Sequence, residues 1–123
     1  MRLAAAMATL LAPVEAEALL AKLPAISRPL IAKYFRSDFD VLQKADDSPV
    51  TIADKSVEAA LRAAITQRFP DHSIIGEEEG GQASQPYCWV IDPIDGTRAF
   101  IIGKPLFGTL IALSYQGMPI CGL

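Results

Sequence analysis

The chain has 123 residues, of which 51% are hydrophobic and 20% are charged. This composition excludes a disordered chain and fits one globular domain over residues 1–123. The formal net charge is −3 and no Lys/Arg cluster is present, which excludes nucleic acid as a main partner. No stretch approaches the ~20 apolar residues that a membrane-spanning helix needs, which excludes a membrane partner.

Two features predict the compartment. Met1 to Ala12 superficially resembles a short signal peptide, but it carries one basic residue and no clear cleavage site follows it. We interpret it as the start of a helix or an irregular segment. Cys88 and Cys121 lie in apolar, strand-like runs without Cys-x-x-Cys spacing, so we expect buried free thiols. Both features favour a cytoplasmic protein.

The first predicted element is helical and covers Pro13 to Phe35, where apolar residues recur at helical spacing. Pro24 and Pro29 each lack a backbone N–H group, so they must kink or split it. Two consecutive helices and one strongly bent helix fit this pattern equally well. We expect the segment to contribute packing and no chemistry.

A polar segment follows from Ser37 to Asp47, interrupted by the apolar pair Val41-Leu42. The pair predicts a brief edge strand that leads into a surface loop. We interpret the aspartates of this segment, and Lys44, as solvated loop charges.

The clearest predicted helix begins at Thr51, with Asp54 three residues later in a near capping-box arrangement. Asp54 is also the type of residue that the helix dipole favours in a first turn. We expect Glu58 to lie outside the apolar face, on the same side as Lys55, Arg62 and Arg68. The apolar face is predicted to contain Ala53, Val57, Ala60, Leu61, Ala64 and Ile65.

A turn with His72 precedes the predicted strand Ser73 to Gly76, which leads into Glu77-Glu78-Glu79. We interpret His72 as a surface or hydrogen-bonded residue, and no His/Cys pair is present for zinc or for a nucleophilic triad. Three adjacent glutamates before two glycines are, on their own, typical of a solvated hairpin tip.

The central stretch of the chain places two carboxylates after a buried strand. Tyr87 to Ile91 is aromatic and β-branched, and it is followed by Asp92 and Asp95. Gly96 and Thr97 come next, and we expect Thr97 to be the N-cap of a short helix. Such carboxylates can hold hard cations, and the free N–H groups of the helix start can hold a phosphate. A strand ending in Glu77 beside this one would bring the acidic groups to one sheet edge.

The remaining chain predicts a hairpin, with a strand over Phe107 to Tyr115, a turn at Gln116-Gly117 and a partner strand from Met118. Helices followed by strands indicate an α+β arrangement. The last strand stops within its pattern, so we expect the chain to end before its fold does.

Asp92-Pro-Ile-Asp-Gly-Thr97, preceded by Gly76-Glu77-Glu78, resembles the motifs of the inositol monophosphatase superfamily of metal-dependent phosphomonoesterases. The continuation from Phe100 to Leu113 is most similar to the histidinol-phosphate phosphatase branch. The resemblance extends from about Ala16 to the last residue and matches only the N-terminal portion of the family fold. It implies a layered α/β (α+β) fold, incomplete here, with N-terminal helices packed on a largely antiparallel sheet.

The resemblance also implies site residues and a cofactor. The cofactor is Mg²⁺, or Mn²⁺, because every implied ligand is an oxygen. Glu78 would lie behind the ligands, Glu79 would face solvent, and Lys44 resembles a family lysine near the metals. The implied metal ligands are Glu77, Asp92, Asp95 and the carbonyl of Ile94; the catalytic groups are Glu77, Thr97 and Asp54; the substrate contacts are Glu77, Ile94, Asp95, Gly96 and Thr97.

The function implied by the resemblance is Mg²⁺-dependent hydrolysis of a phosphate monoester, histidinol phosphate in histidine biosynthesis, by a homodimer. The alternatives are hydrolysis of inositol 1-phosphate and a truncated, non-catalytic chain that binds metal and phosphate. The family's further metal-binding aspartate lies downstream of this chain, so we expect the chain alone to be weak or inactive. A structural domain with solvated acidic faces would require both motifs to occur by accident.

Overall fold

The computed structural model describes residues 13–43 and 49–123, so the predictions for Met1 to Ala12 and for Lys44 lie outside the described residues. Within those ranges the chain forms helices α1 to α4 and strands β1 to β6. The helices are α1 (residues 13–22), α2 (Pro24–Tyr34), α3 (Ile52–Arg68) and α4 (Thr97–Ile101), and the strands are β1 (Val41–Gln43), β2 (Pro49–Thr51), β3 (Ser73–Gly76), β4 (Tyr87–Asp95), β5 (Gly108–Tyr115) and β6 (Met118–Gly122).

The N-terminal helical segment is split. Leu23 alone separates α1 from α2, and Pro24 is the first residue of α2. A proline is tolerated at that position because its missing N–H would have no intrahelical acceptor. Pro29 lies inside α2. Of the two arrangements that the sequence left open, the structure shows the two consecutive helices.

The start of α3 is the predicted capping box. Oγ1 of Thr51 accepts hydrogen bonds from the backbone N–H groups of Ala53 and Asp54 at 3.2 and 3.3 Å. In return, Oδ2 of Asp54 accepts one from the backbone N–H of Thr51 at 2.9 Å. The prediction that Glu58 lies on the polar side of α3 was wrong, since its side chain is fully buried. Burial is possible because hydrogen bonds from the loop after β3 replace those that water would make with its carboxylate.

The main sheet has the strand order β3-β4-β5-β6, and β1 pairs with β2 in a separate antiparallel ribbon. The β3–β4 pair is parallel, with Gly76 opposite Ile91, whereas β4–β5 and β5–β6 are antiparallel. The largely antiparallel sheet is therefore confirmed. β4 continues through Pro93 to Asp95, with a register irregularity between Asp92 and Asp95 that bends the strand where the acidic motif begins.

The helices cover one face of the sheet. The central side chain of this core is Trp89, which is fully buried together with Leu23, Val57, Leu61, Ile65 and Leu113. A second, smaller cluster surrounds Phe100 of α4, where Phe35, Phe39 and Phe107 lie with ring centroids 5.0 to 5.7 Å from that of Phe100. It anchors the short helix at the end of β4. No helix within residues 13–43 and 49–123 is long and apolar enough to cross a membrane.

Candidate metal and phosphate site

The parallel pairing of β3 and β4 brings the two acidic motifs together. The backbone N–H of Glu77, the first residue after β3, donates to the carbonyl of Ile91 at 3.0 Å. Asp92 follows Ile91 directly, so both carboxylates emerge at the same edge of the sheet. This is the juxtaposition that the order of strand and acidic residue predicted.

A pocket of about 270 Å³ lies at this edge. All the residues predicted to contact metal or substrate line it. Arg98 also lines it and was not predicted, because nothing in its sequence context sets it apart from other exposed helical arginines. Asp54 does not line the pocket and lies behind Thr97. The lining residues are Glu77, Asp92, Ile94, Asp95, Gly96, Thr97 and Arg98.

The carboxyl group of Asp92 is partly buried at the centre of the site. Burial raises its pKa to about 7, with further contributions from a hydrogen bond with Glu77 and from the charges of Glu77, Asp95 and Asp54. Its Oδ1 atom is buried and has no hydrogen-bond partner among the described residues. A buried oxygen of this kind is costly without a compensating group, and a cation would both pair with it and relieve the repulsion among the acids.

The donor set suits Mg²⁺, which prefers carboxylate and carbonyl oxygens and retains several waters. As they stand, no three Asp, Glu, His or Cys side chains of the described residues form a metal-binding group. The residues present fit a hard divalent cation by ligand chemistry, and the orphaned Oδ1 atom of Asp92 is the observation that favours one.

The turn into α4 differs from the prediction. Gly96 is the N-cap, with φ of 86°, and Thr97 is the first helical residue, so the prediction of Thr97 as N-cap was wrong. Glycine adopts this left-handed conformation without strain, and a Cβ atom here would lie 2.8 Å from the carbonyl oxygen of Leu106. The hydroxyl of Thr97 therefore does not cap the helix.

The hydroxyl of Thr97 instead connects two parts of the site. Its Oγ1 lies 3.1 Å from Oδ1 of Asp54 and 3.0 Å from the carbonyl oxygen of Ile94. The other carboxylate oxygen of Asp54 is held by Thr51. Asp54 therefore serves both as a capping-box residue and as a hydrogen-bond acceptor for Thr97, so its two predicted roles are compatible.

The glutamates after β3 have different surroundings. Glu78 is half-buried, and its backbone N–H donates to Oε2 of Glu58 at 2.9 Å. Glu79 is exposed, as predicted, and its carboxylate lies 3.4 Å from Nε of Arg62. Of the three, only Glu77 lines the pocket.

The sequence model of the inositol monophosphatase family matches residues 13–123. The chain belongs to this family. Bifunctional phosphatase IMPL2, chloroplastic, from Arabidopsis thaliana is 56% identical over 100 residues, which cover 79% of this chain and 29% of that protein. Histidinol-phosphatase from Chlorobaculum parvum is 46% identical over 90 residues, which cover 72% of this chain and 35% of that protein.

Among solved structures, an IMPase/NADP phosphatase complexed with Mg²⁺ and phosphate superimposes with a TM-score of 0.77, covering 90% of this chain and 43% of that one. At 22% sequence identity, this match shows the fold alone. Membership of the inositol monophosphatase family confirms the resemblance drawn from the motifs at Gly76 and Asp92, and with it the α/β fold. The chain spans about a third of the length of the curated relatives it matches.

Proposed function

We propose that this chain carries the metal- and phosphate-binding part of a Mg²⁺-dependent phosphomonoester hydrolase that acts on histidinol phosphate. The observation that carries the proposal is the pocket at the ends of β3 and β4, with the orphaned Oδ1 atom of Asp92 inside a cluster of acids. The substrate is supported by a relative named histidinol-phosphatase that is 46% identical.

In this proposal Glu77, Asp92, Asp95 and the carbonyl oxygen of Ile94 hold Mg²⁺. The carbonyl oxygen of Ile94 lies 3.0 Å from Oγ1 of Thr97 and has two acceptor lone pairs, so it can bind the metal while the Thr97 proton points toward Asp54. When bound, the metal supplies Lewis-acid polarisation of the phosphate ester and lowers the pKa of a coordinated water. Mn²⁺ suits the same oxygen ligands.

Glu77 and Thr97 would accept hydrogen bonds from the attacking water and orient it. The proton that the water loses would pass to Oγ1 of Thr97, which would give its own proton to Oδ1 of Asp54. A hydroxyl has one proton and two acceptor lone pairs, so Thr97 can accept from water while its own proton points toward Asp54. The 3.1 Å contact with Oδ1 of Asp54 supports this direction of proton movement. Asp54 is then a fixed acceptor, because Thr51 holds its other oxygen.

The phosphate group is held at the start of α4. The amides of Gly96 and Thr97 donate to its oxygens, and the guanidinium of Arg98 adds a positive charge on the same pocket wall. This helix has five residues, so we attribute the binding to individual N–H groups and to the Arg98 charge rather than to a helix dipole.

Two alternatives carry specific support. Hydrolysis of inositol 1-phosphate is supported by the name of the matching family. A non-catalytic chain that binds metal and phosphate is the second alternative, and the acidic and backbone groups that line the pocket would allow such binding without turnover. We expect the 123-residue chain by itself to hydrolyse phosphate esters weakly or not at all.

The test is phosphate release from histidinol phosphate and from inositol 1-phosphate, with and without Mg²⁺. It is carried out on this chain and on an extended chain, a chimaera continued with the remaining length of a histidinol-phosphatase relative. Asp92→Asn removes the central ligand. Asp71→Asn is the matched control because Asp71 is exposed in the turn before β3, at the opposite end of that strand from the site.

Mg²⁺-dependent release from histidinol phosphate by the extended chain, lost in Asp92→Asn and retained in Asp71→Asn, is the expected result. Preferential release from inositol 1-phosphate would overturn the substrate. Full-rate release by the 123-residue chain would overturn the expectation that it is weak. No metal-dependent release from either ester by either folded chain would overturn the proposed hydrolase.

A further inference from the structure

Glu58 is a buried carboxylate on α3 that reaches across to the loop after β3. Its side chain is fully excluded from solvent. Oε2 accepts hydrogen bonds from the backbone N–H groups of Glu78 and Glu79, at 2.9 and 3.1 Å. Glu58 itself does not line the metal and phosphate pocket.

Every backbone N–H group from Glu77 to Gly80 donates a hydrogen bond to a defined acceptor. Glu77 donates to the carbonyl of Ile91 at 3.0 Å, and Gly80 donates to the carbonyl of Gly76 at 2.8 Å. The two amides between them have no strand partner, and Oε2 of Glu58 takes both. The carboxylate therefore fixes the part of the loop that the sheet cannot hold.

The second carboxylate oxygen of Glu58 is held by the guanidinium group of Arg62. Oε1 lies 3.2 Å from Nη2 and 3.3 Å from Nε of Arg62, one helical turn further along α3. Arg62 also donates to the carbonyl oxygen of Gly80. These donors compensate the cost of burying the Glu58 charge. Glu58 and Arg62 together join α3 to the loop at Glu78, Glu79 and Gly80.

The chain leaves room for this contact at Gly76. A Cβ atom on Gly76 would lie 1.2 Å from Oε1 and 2.4 Å from Cδ of Glu58. Any side chain at this position would displace the carboxylate from the loop. Gly76 is the residue directly before Glu77, so this close approach fixes the chain where the pocket begins.

We propose that Glu58 is a positioning residue for the metal site, holding the Glu77–Gly80 loop so that the Glu77 carboxylate faces Asp92. This inference rests on the proposed function for the identity of Glu77 as a ligand. Residues that orient a metal ligand without touching the metal affect binding in the same way. Mutation of such a residue typically weakens metal affinity by roughly 10- to 100-fold.

The test variant is Glu58→Gln. Its side-chain amide keeps the size of the carboxylate, but it can no longer offer acceptor oxygens both to the loop and to Arg62. Two quantities are measured on the 123-residue chain: hydrogen–deuterium exchange of the Glu78 and Glu79 amides, and the dissociation constant of Mn²⁺ from its electron paramagnetic resonance signal. We expect faster exchange at both amides and a Mn²⁺ dissociation constant raised about tenfold or more.

Two controls separate positioning from other effects. Asp71→Asn removes one negative charge from an exposed side chain in the turn before β3. Val57→Ala creates a cavity in the core beside Glu58 on the same helix. If either control raises the Mn²⁺ dissociation constant as much as Glu58→Gln does, the positioning role is overturned in favour of a charge or stability effect.

The two readouts keep this inference apart from the proposed function. If the wild-type chain does not bind Mn²⁺, the proposed metal site fails, and unchanged exchange at Glu78 and Glu79 in Glu58→Gln would overturn the loop anchor independently. If Glu58→Gln does not fold, Gly76→Ala replaces it, since it displaces the flexible end of Glu58 and keeps the charge. The same faster exchange and weaker binding are expected, and wild-type values would overturn the proposal.

Discussion

The hydroxyl of Thr97 is the smallest part of the site whose role can be isolated. We expect Thr97→Val in the extended chain to lower kcat about 100-fold or more, which is the scale of a lost proton-transfer group. The metal affinity should stay within a few-fold of the wild type. Valine keeps the shape, and although it removes the hydroxyl contacts with Asp54 and with the carbonyl of Ile94, that carbonyl keeps its lone pairs for the metal. Steady-state kinetics and Mn²⁺ binding measure the two effects separately.

Thr109→Val is the matched control for that experiment. Its hydroxyl donates to the carbonyl of Pro93 at 2.8 Å, next to the acidic motif but outside the pocket lining. We expect this variant to keep kcat within a few-fold of the wild type. Equal losses in the two variants would contradict a proton-transfer role for Thr97.

His72 gives a prediction about stability and pH. Its ring stacks between Phe69 and Tyr87, and its Nδ1 accepts a hydrogen bond from Nε1 of Trp89 at 3.0 Å. Burial lowers its pKa from 6.5, and Asp71 partly opposes this. The folded chain therefore binds a proton less readily than the unfolded chain, so the free energy of unfolding falls as the pH drops below about 6.5.

We expect His72→Gln to remove the part of the pH dependence that comes from the imidazole, because glutamine does not titrate. The glutamine carbonyl can still accept the hydrogen bond from Trp89. Urea unfolding between pH 7.5 and pH 5 should show a smaller loss of stability in the variant than in the wild type. Parallel stability profiles for the two chains would contradict the assignment.

At the scale of the element, the start of α3 depends on the capping box, in which the Thr51 hydroxyl serves two backbone amides. Thr51→Ala removes the acceptor for the amides of Ala53 and Asp54, which we expect to cost about 1 kcal/mol of unfolding free energy. Thr66→Ala on the exposed side of the same helix is the control, where better helix propensity should stabilise by a few tenths of a kcal/mol. Equal denaturation midpoints for the two variants would contradict the role of the cap.

The elements of this chain differ in how far local sequence determines them. The capping box and apolar face of α3 were predictable because each depends on residues within one or two turns. Glu58 was not, since a Glu–Arg pair four residues apart usually marks an exposed helix face. Its burial is caused by backbone donors about twenty residues away. Thr97 was misplaced as the N-cap because the positive φ of Gly96 moves the cap back by one residue.

At the scale of the molecule, the position of each acidic motif after an apolar strand predicted that the two motifs lie at the same edge of the sheet. Glu77 and Asp92 each follow an apolar strand, and a single parallel pairing puts both at one edge. The β3–β4 pairing is parallel, and the segment between the two strands contains no helix. Periodicity gives the strands but not which neighbours pair or in which direction. The family resemblance supplied the layering for this reason.

The sheet face opposite the helices gives the last prediction. Val90 and Ala112 are cross-strand partners, as are Asp92 and Leu110, so all four side chains share this face. Val90 and Leu110 are 44% and 50% exposed, and they line a pocket of about 540 Å³. We expect this face to bind the dye ANS in the 123-residue chain, since an apolar surface of this kind is available to small apolar probes.

The double variant Val90→Thr, Leu110→Thr should lower the ANS fluorescence at least twofold while preserving strand propensity. Val14→Thr is the control, because Val14 is 62% exposed on α1 and lies away from the sheet. Unchanged fluorescence in the double variant, or an equal decrease in the control, would show that the dye binds elsewhere. A decrease confined to the double variant would identify the binding surface as this sheet face, whose pocket shares Glu77 and Asp92 with the metal and phosphate pocket.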